Sequence, residues 1–214
     1  MAEGRKETGS QRTCAWEMLR HAGPGGLGLA LSNLFIQFMA FSAVGWAYEI
    51  INDAICRHGF FPRASLAGPW CPIYGIGGLM IVLAMHSLPG RRRRRFVLAG
   101  EILVAAVGIC CLVTVVELLG SYVCEWTMGY MPWDYSAYWG NFEGRIAPEF
   151  TIRFVVGGLV FLYLLDPAIT GWCAKNPTKA RASATILLVL FALDNALEAS
   201  GLWANVIPRG GIPF

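Results

Sequence analysis

Charge is what this chain has least of. Only 14% of its 214 residues are Asp, Glu, Lys or Arg, against 56% hydrophobic residues, where soluble domains carry roughly a quarter charged residues. An ordinary water-exposed surface is therefore excluded. So is a nucleic-acid-binding domain, because the one basic run, arginines 91–95, stands between two apolar blocks and reads as a topological anchor. Histidine is scarce as well: His21, His58 and His86 are scattered, and the seven cysteines form no CxxC pair. Zinc and haem find no ligand set, and no metal or cofactor is expected. There is no G-x-x-x-x-G-K-S/T sequence to bind a nucleotide and no apolar/polar alternation of the kind a membrane barrel requires.

What the chain has instead is long apolar runs, with the charges gathered between them. A hydrocarbon layer about 30 Å thick requires about 20 largely apolar residues in a helix. Blocks at 29–52, 72–88, 96–119, 150–166 and 182–202 meet or approach that length; the second and fourth are short and need little tilt or a thinner bilayer. The fold expected is an all-α, polytopic integral membrane bundle with about five transmembrane helices. Residues 1–26 are expected to form a cytoplasmic tail, 27–205 a single bundle and 206–214 a short outer tail. Glu3, Glu7 and Glu17, with no apolar core among them, exclude a secretory signal from the first segment.

Lys and Arg set the orientation, because positively charged loops stay in the cytoplasm. Arg5, Lys6, Arg12, Arg20, the run 91–95, Lys175, Lys179 and Arg181 place twelve on one side. Arg57, Arg63, Arg145, Arg153 and Arg209 place five on the other. The N-terminus is predicted inside and the C-terminus outside.

With that orientation most acids in or beside the apolar blocks fall toward the outer end. Glu49, Glu117, Asp194 and Glu198 lie near outer helix ends, and Glu125, Asp134, Glu143 and Glu149 in the outer loop. Only Glu101 and Asp166 lie near inner ends. A lone carboxylate at mid-membrane costs about 2.5–3.5 kcal/mol, so such groups face other helices or a wet cavity. Asp194 and Glu198 are four apart and share a helix face. Ser42, Gly45, Glu49 and Asn52 make a polar stripe on the first block, with Trp46 and Tyr48 beside it; taken singly, these aromatics suit an interfacial belt.

The segment 57–78 is rich in Gly and Pro. Pro69 and Pro72 keep Trp70-Cys71 extended. Gly75, Gly77 and Gly78 suit a close helix crossing or, less readily, a ligand lying on the backbone. The segment 120–149 carries eight aromatic residues, including Trp126, Trp133, Tyr135 and Trp139, and reads as an interfacial or re-entrant cap. Arg145 within it is expected to pair with Glu143, Asp134 or Glu117. One disulfide among Cys56, Cys71 and Cys124 is open, with no pair singled out.

Two stretches carry a family resemblance. One is FSAVGWAYEI at 41–50 with GPWCPIYGIGG at 68–78, and the other is WDYSAYWGNFEGRI at 133–146 followed by Asp166-Pro167. Together they resemble the putative ABC-transporter type IV, or CmpB-like, membrane proteins of bacteria, over roughly 33–167. The resemblance marks Gly68, Pro69, Cys71, Pro72, Tyr74 and Gly75 as a structural motif. It implies a permease-like subunit in the bacterial cytoplasmic (inner) membrane, a separate ATPase subunit, and a homo-oligomer or hetero-complex within membrane lipid. The binding residues expected from the sequence are Trp46, Glu49, Glu117, Asp134, Arg145, Asp194 and Glu198, lining an acidic and aromatic cavity open to the non-cytoplasmic side. A non-catalytic envelope-assembly partner is the alternative. An intramembrane enzyme on a lipid-linked substrate is the weaker one, since no catalytic constellation is present and the chain reads as a non-enzyme.

Overall fold

The computed structural model describes residues 15–20, 23, 26–56, 59–60, 67–88, 95–131, 133–202 and 212–213. Most of the tail 1–26, Arg57, Arg63, arginines 91–94, Arg209 and most of 206–214 lie outside the described residues. The sequence-based orientation leans on several of these.

Helices make up nearly all of the described chain. They are α1 (Ala15–Arg20), α2 (Leu27–Cys56), α3 (Pro72–Ala84), α4 (Arg95–Met128), α5 (Pro148–Val160), α6 (Asp166–Lys175) and α7 (Pro177–Ala199). One antiparallel pair, β1 (Gly59–Phe60) with β2 (Ile212–Pro213), joins the end of α2 to the end of the chain. Proline sets the starts. Cys71, Ala147 and Asn176 are non-helical, and Pro72, Pro148 and Pro177 follow each of them as the first helical residue, where the absent N–H has no intrahelical partner to lose.

Asp166-Pro167 departs from that pattern and from the sequence reading. The fourth apolar block was expected to end there, yet the helix runs unbroken from Pro148 to Lys175. A π-helical turn, Phe161–Leu165, joins α5 to α6. Proline removes one N–H and crowds the carbonyl four residues back, and a widened turn just before it accommodates both effects. The segment 167–181 is accordingly helix broken only at Asn176, not a loop.

Among the described residues four helices are long and apolar enough to cross a membrane: Leu27–Ile55, Leu98–Thr127, Pro148–Lys175 and Pro177–Ala199. The remaining apolar block is shorter than expected. Helix α3 has 13 residues, about 20 Å of rise, and it starts beside the middle of α2, where the Cys71 N–H donates to the Ser42 carbonyl at 3.0 Å. Glycines permit this approach. A side chain on Gly75 would collide with Ser42 and Phe38, and one on Gly78 with Phe41 and Phe161, whereas Gly77 faces open space. Close crossing is therefore the role of two of the three glycines.

Helix α2 is the hub, packed by α1, α3, α6 and α7, while α4 packs mainly on α5. Phe41 of α2 stacks on Phe161 at 4.4 Å. The α5–α6 helix stays within side-chain reach along α2, from Asn33 and Gln37 against Thr170 and Asp166 to Tyr48 and Asn52 against Arg153.

The distribution of polarity is inverted relative to a protein in water. Asn33, Gln37, Ser42, Asp53, Ser121, Asp166, Thr170 and Asp194 are buried. Leu103, Val107 and Leu119 of α4, Ile152 and Val156 of α5 and Ile186, Val189 and Leu193 of α7 are exposed. Lipid is the solvent that such a surface suits. The chain is a polytopic membrane helix bundle.

Candidate functional site

Where Arg153 of α5 reaches Tyr48 and Asn52 of α2, side chains from four elements and one connecting segment meet, tyrosines and carboxylates among them. Helix α2 presents Tyr48, Glu49 and Asn52 there. Gly45, one turn earlier, has no side chain, and the Tyr74 ring of α3 lies against its backbone. That placement brings the Tyr74 hydroxyl to Glu49, to which it donates a hydrogen bond. The same ring meets Tyr48 edge-on at 6.3 Å and Phe154 of α5 at 6.1 Å. Arg153 of α5 reaches back to α2, donating to Asn52 Oδ1 at 2.9 Å and to the Tyr48 hydroxyl at 3.4 Å, and pairs with Glu149 one turn before it.

Glu117 of α4 faces the same cluster. Tyr135 stacks on Phe150 at 4.1 Å and turns its hydroxyl toward Glu117. Burial, reinforced by the charges of Glu117 and then Glu49, holds that hydroxyl above the ordinary tyrosine range, so Tyr135 remains a hydrogen-bond donor. The other Glu117 oxygen is buried and accepts nothing among the described residues. Each of the two carboxylates has one tyrosine hydroxyl against it, inside a ring of aromatic faces. Chemically such a centre can attract a cation or pass a proton.

The remaining residues singled out from sequence divide between supporting roles and separate places. Asp194, buried on α7, accepts from Ala67 N at 3.1 Å, Gly68 N at 3.0 Å and Trp70 Nε1 at 2.9 Å. It pins the segment leading into α3. Gly68 lies under the Trp70 ring and tolerates no side chain there, and Pro69, Cys71 and Pro72 complete the extended approach to the helix. Trp46 is half-buried on α2, three residues before Glu49. Glu198 is half-buried near the end of α7. The cysteine question resolves: Cys71 and Cys124 are both thiols, and every pairing among Cys56, Cys71 and Cys124 requires one of them.

Asp134 and Arg145 organise the connection between α4 and α5. Helix α4 continues through Met128, so this connection is shorter than the 120–149 expected. Asp134 Oδ1 accepts from the Ser136 backbone and hydroxyl, and these bonds hold its carboxyl below the usual range. Asn141 bonds the Ser136 and Tyr138 carbonyls and accepts from Gly144 N. Gly144 has φ +66°, and a side chain there would strike Ser136 and Asp134. Arg145 bonds Ser121 Oγ at 2.8 Å, pairs with Glu125, lies 3.5 Å from Glu143 and covers the Tyr122 ring at 3.9 Å. Of the three partners expected for it, Glu143 is in contact, and Glu125 is the one the sequence reading missed. The Glu125 carboxylate drives the guanidinium further toward its charged form. Arg145→Ala is expected to lower the melting midpoint, since it removes the partner of the buried Ser121 hydroxyl and of Glu125. Lysine should not restore it, lacking the fork that reaches both groups. Thermal melts and protease sensitivity at 129–147 test this, and a wild-type melt for Arg145→Ala would refute it.

A second buried polar group, missed from sequence, joins α2 to α6: Asn33, Gln37, Asp166 and Thr170. The available signal was spacing, since each pair stands four apart on one helix face.

Searches of curated proteins and of solved structures return no match to this chain. Residues 36–198 match the family described as putative ABC-transporter type IV. The match takes in α2 from its third turn, both sequence motifs, the tyrosine–carboxylate cluster and all but the last residue of α7, and the chain belongs to that putative ABC-transporter type IV family.

Proposed function

We propose that this chain is a permease-like subunit of a bacterial transporter, and that Glu49 and Glu117 form its binding site for a cationic or proton-coupled substrate. The observation that carries the reading is the pairing of two carboxylates with Tyr74 and Tyr135 beside the contact of α2 with α5. Apolar helices do not keep such groups without use or compensation. Trp46 and Glu198 extend the lining of an acidic and aromatic cavity. Asp194, Arg145 and Asp134 shape it by holding the segments around it. The cavity opens to the non-cytoplasmic side of the inner membrane, with the N-terminus inside, as the excess of basic residues on one side supports. Energy from ATP comes from a separate subunit, because this chain has no nucleotide-binding sequence. Four long helices and one short one make a thin wall, so a second copy or a companion subunit completes the path.

Proteoliposomes provide the test, with an entrapped pH-sensitive dye and a labelled quaternary amine as probes. Glu49→Gln and Glu117→Gln keep an acceptor for the tyrosines and are expected to fold. Each should lower flux of the transported probe at least about tenfold, the effect of losing one charge-assisted contact. Unchanged flux in both variants at normal expression sinks the assignment. No flux from wild type, together with stable co-purification of another envelope protein, would favour the assembly-partner alternative.

A further inference from the structure

Asn33 and Gln37 of α2 and Asp166 and Thr170 of α6 are each at most 1% exposed. On α2 they lie more than three turns before Glu49. Three of their oxygens sit close together: Thr170 Oγ1 is 3.0 Å from Asp166 Oδ1 and 3.4 Å from Asn33 Oδ1. Gln37 Nε2 lies over all three, 2.9 Å from Asp166 Oδ1, 3.0 Å from Thr170 Oγ1 and 3.4 Å from Asn33 Oδ1. Asn33 Nδ2 also donates to Thr170 Oγ1 at 3.2 Å, and the Ala15 N–H to Asp166 Oδ1 at 3.1 Å.

The hydrogen-bond accounting does not close. An amide nitrogen has two hydrogens and cannot serve three acceptors at once. Gln37 Oε1 is buried and accepts nothing. No Lys or Arg among the described residues pairs with Asp166. A buried carboxylate and a buried orphan carbonyl oxygen remain side by side, each of which costs free energy in apolar surroundings.

We propose that this centre binds a small monovalent cation of the sodium class, held among the oxygens over which the Gln37 amide now lies. A half-turn of the Gln37 carboxamide exchanges Nε2 for Oε1 and makes the orphan oxygen a fourth ligand. Oxygens about 2.4 Å from a common ion at right angles lie about 3.4 Å apart, close to the spacings found. The charge argument selects a monovalent ion: one carboxylate and three neutral oxygens balance a single positive charge, whereas a divalent ion leaves one buried and uncompensated. The backbone contributes as well. The π-helical turn Phe161–Leu165 ends next to Asp166, so the carboxylate stands where the helix departs from regular α geometry. Broken or irregular membrane helices hold coupling ions in the same manner. Occupancy can be measured without transport, so this inference stands or falls separately from the permease reading.

The purified full-length protein is melted in detergent while sodium chloride replaces choline chloride at constant ionic strength, with potassium chloride in parallel. The midpoint should rise with the logarithm of sodium concentration, as for any ligand that binds only the folded state, and rise less with potassium. The sodium shift should vanish in Asp166→Asn and Thr170→Val and persist in Glu49→Gln. Where Asp166→Asn does not fold, Asn33→Ala and Thr170→Val carry the comparison. Coincident wild-type melts in sodium and choline overturn the proposal, as does a sodium shift that survives in the variants. A midpoint that rises as pH falls, with no sodium effect, also overturns it, since the centre then holds a proton.

Discussion

Asp194→Ala is expected to release the segment that leads into α3 and to destabilise the protein by about 1–3 kcal/mol. The carboxylate accepts from two backbone N–H groups and one indole N–H, and a donor left buried without a partner costs about 1–3 kcal/mol. Against a native stability of about 5–15 kcal/mol this is a large fraction. Asp194→Asn should be milder and still harmful. One oxygen survives the change, but the new NH2 group confronts either Ala67 N–H or the Gly68 and Trp70 pair. The order of melting midpoints is therefore wild type, then asparagine, then alanine. New protease cleavage should appear at 57–71 in the alanine variant before the bundle melts. Any loss of flux should follow the loss of stability, unlike the loss expected at Glu49, where the melt is preserved. A wild-type melt for Asp194→Ala would falsify the anchoring role.

That contrast shows how much the sequence disclosed. The apolar blocks located α2, α4 and α7, because a membrane helix must be continuously apolar for about 20 residues and little else can be. They failed at the two places where backbone geometry departs from a simple rod. At Asp166-Pro167 proline suggested an end, and the π-helical turn that rescues the helix has no composition of its own. At 72–88 hydropathy counted residues without showing that α3 starts at the level of Ser42. Nor does hydropathy separate acids by role. Glu49 and Asp194 are both carboxylates on apolar helices, yet one meets a tyrosine hydroxyl among aromatic rings and the other ties down a loop. The difference comes from Tyr74 and from Ala67, Gly68 and Trp70, which only the tertiary fold brings near. Tyr135 and Arg153 were hidden for the same reason: their partners are on other helices, and no spacing within one segment reports them.

Substitution at Gly45, where α2 and α3 cross, should have the second large effect. A β-carbon on Gly45 would overlap Cβ, Cγ and Cδ2 of Tyr74 well inside van der Waals contact. Because Tyr74 Cβ is part of the collision, no change of rotamer relieves it, and α2 and α3 must separate. Overpacking a fitted core costs about 1–3 kcal/mol, so Gly45→Ala should fall at or beyond the top of that range and Gly45→Val should fail to accumulate. Separation also takes the Tyr74 hydroxyl from Glu49, so flux should fall with stability. The background decides the sign. In a Tyr74→Gly protein the obstruction is gone, and Gly45→Ala should then stabilise α2 by up to about 1 kcal/mol, the helix preference for alanine over glycine. Gly77→Ala, on the open face of α3, should show the same small gain in the wild-type protein. The double-mutant cycle isolates the contact from general effects of either change. If Gly45→Ala and Gly77→Ala shift the melt alike, Tyr74 does not lie on α2, and the route by which it reaches Glu49 is lost with it.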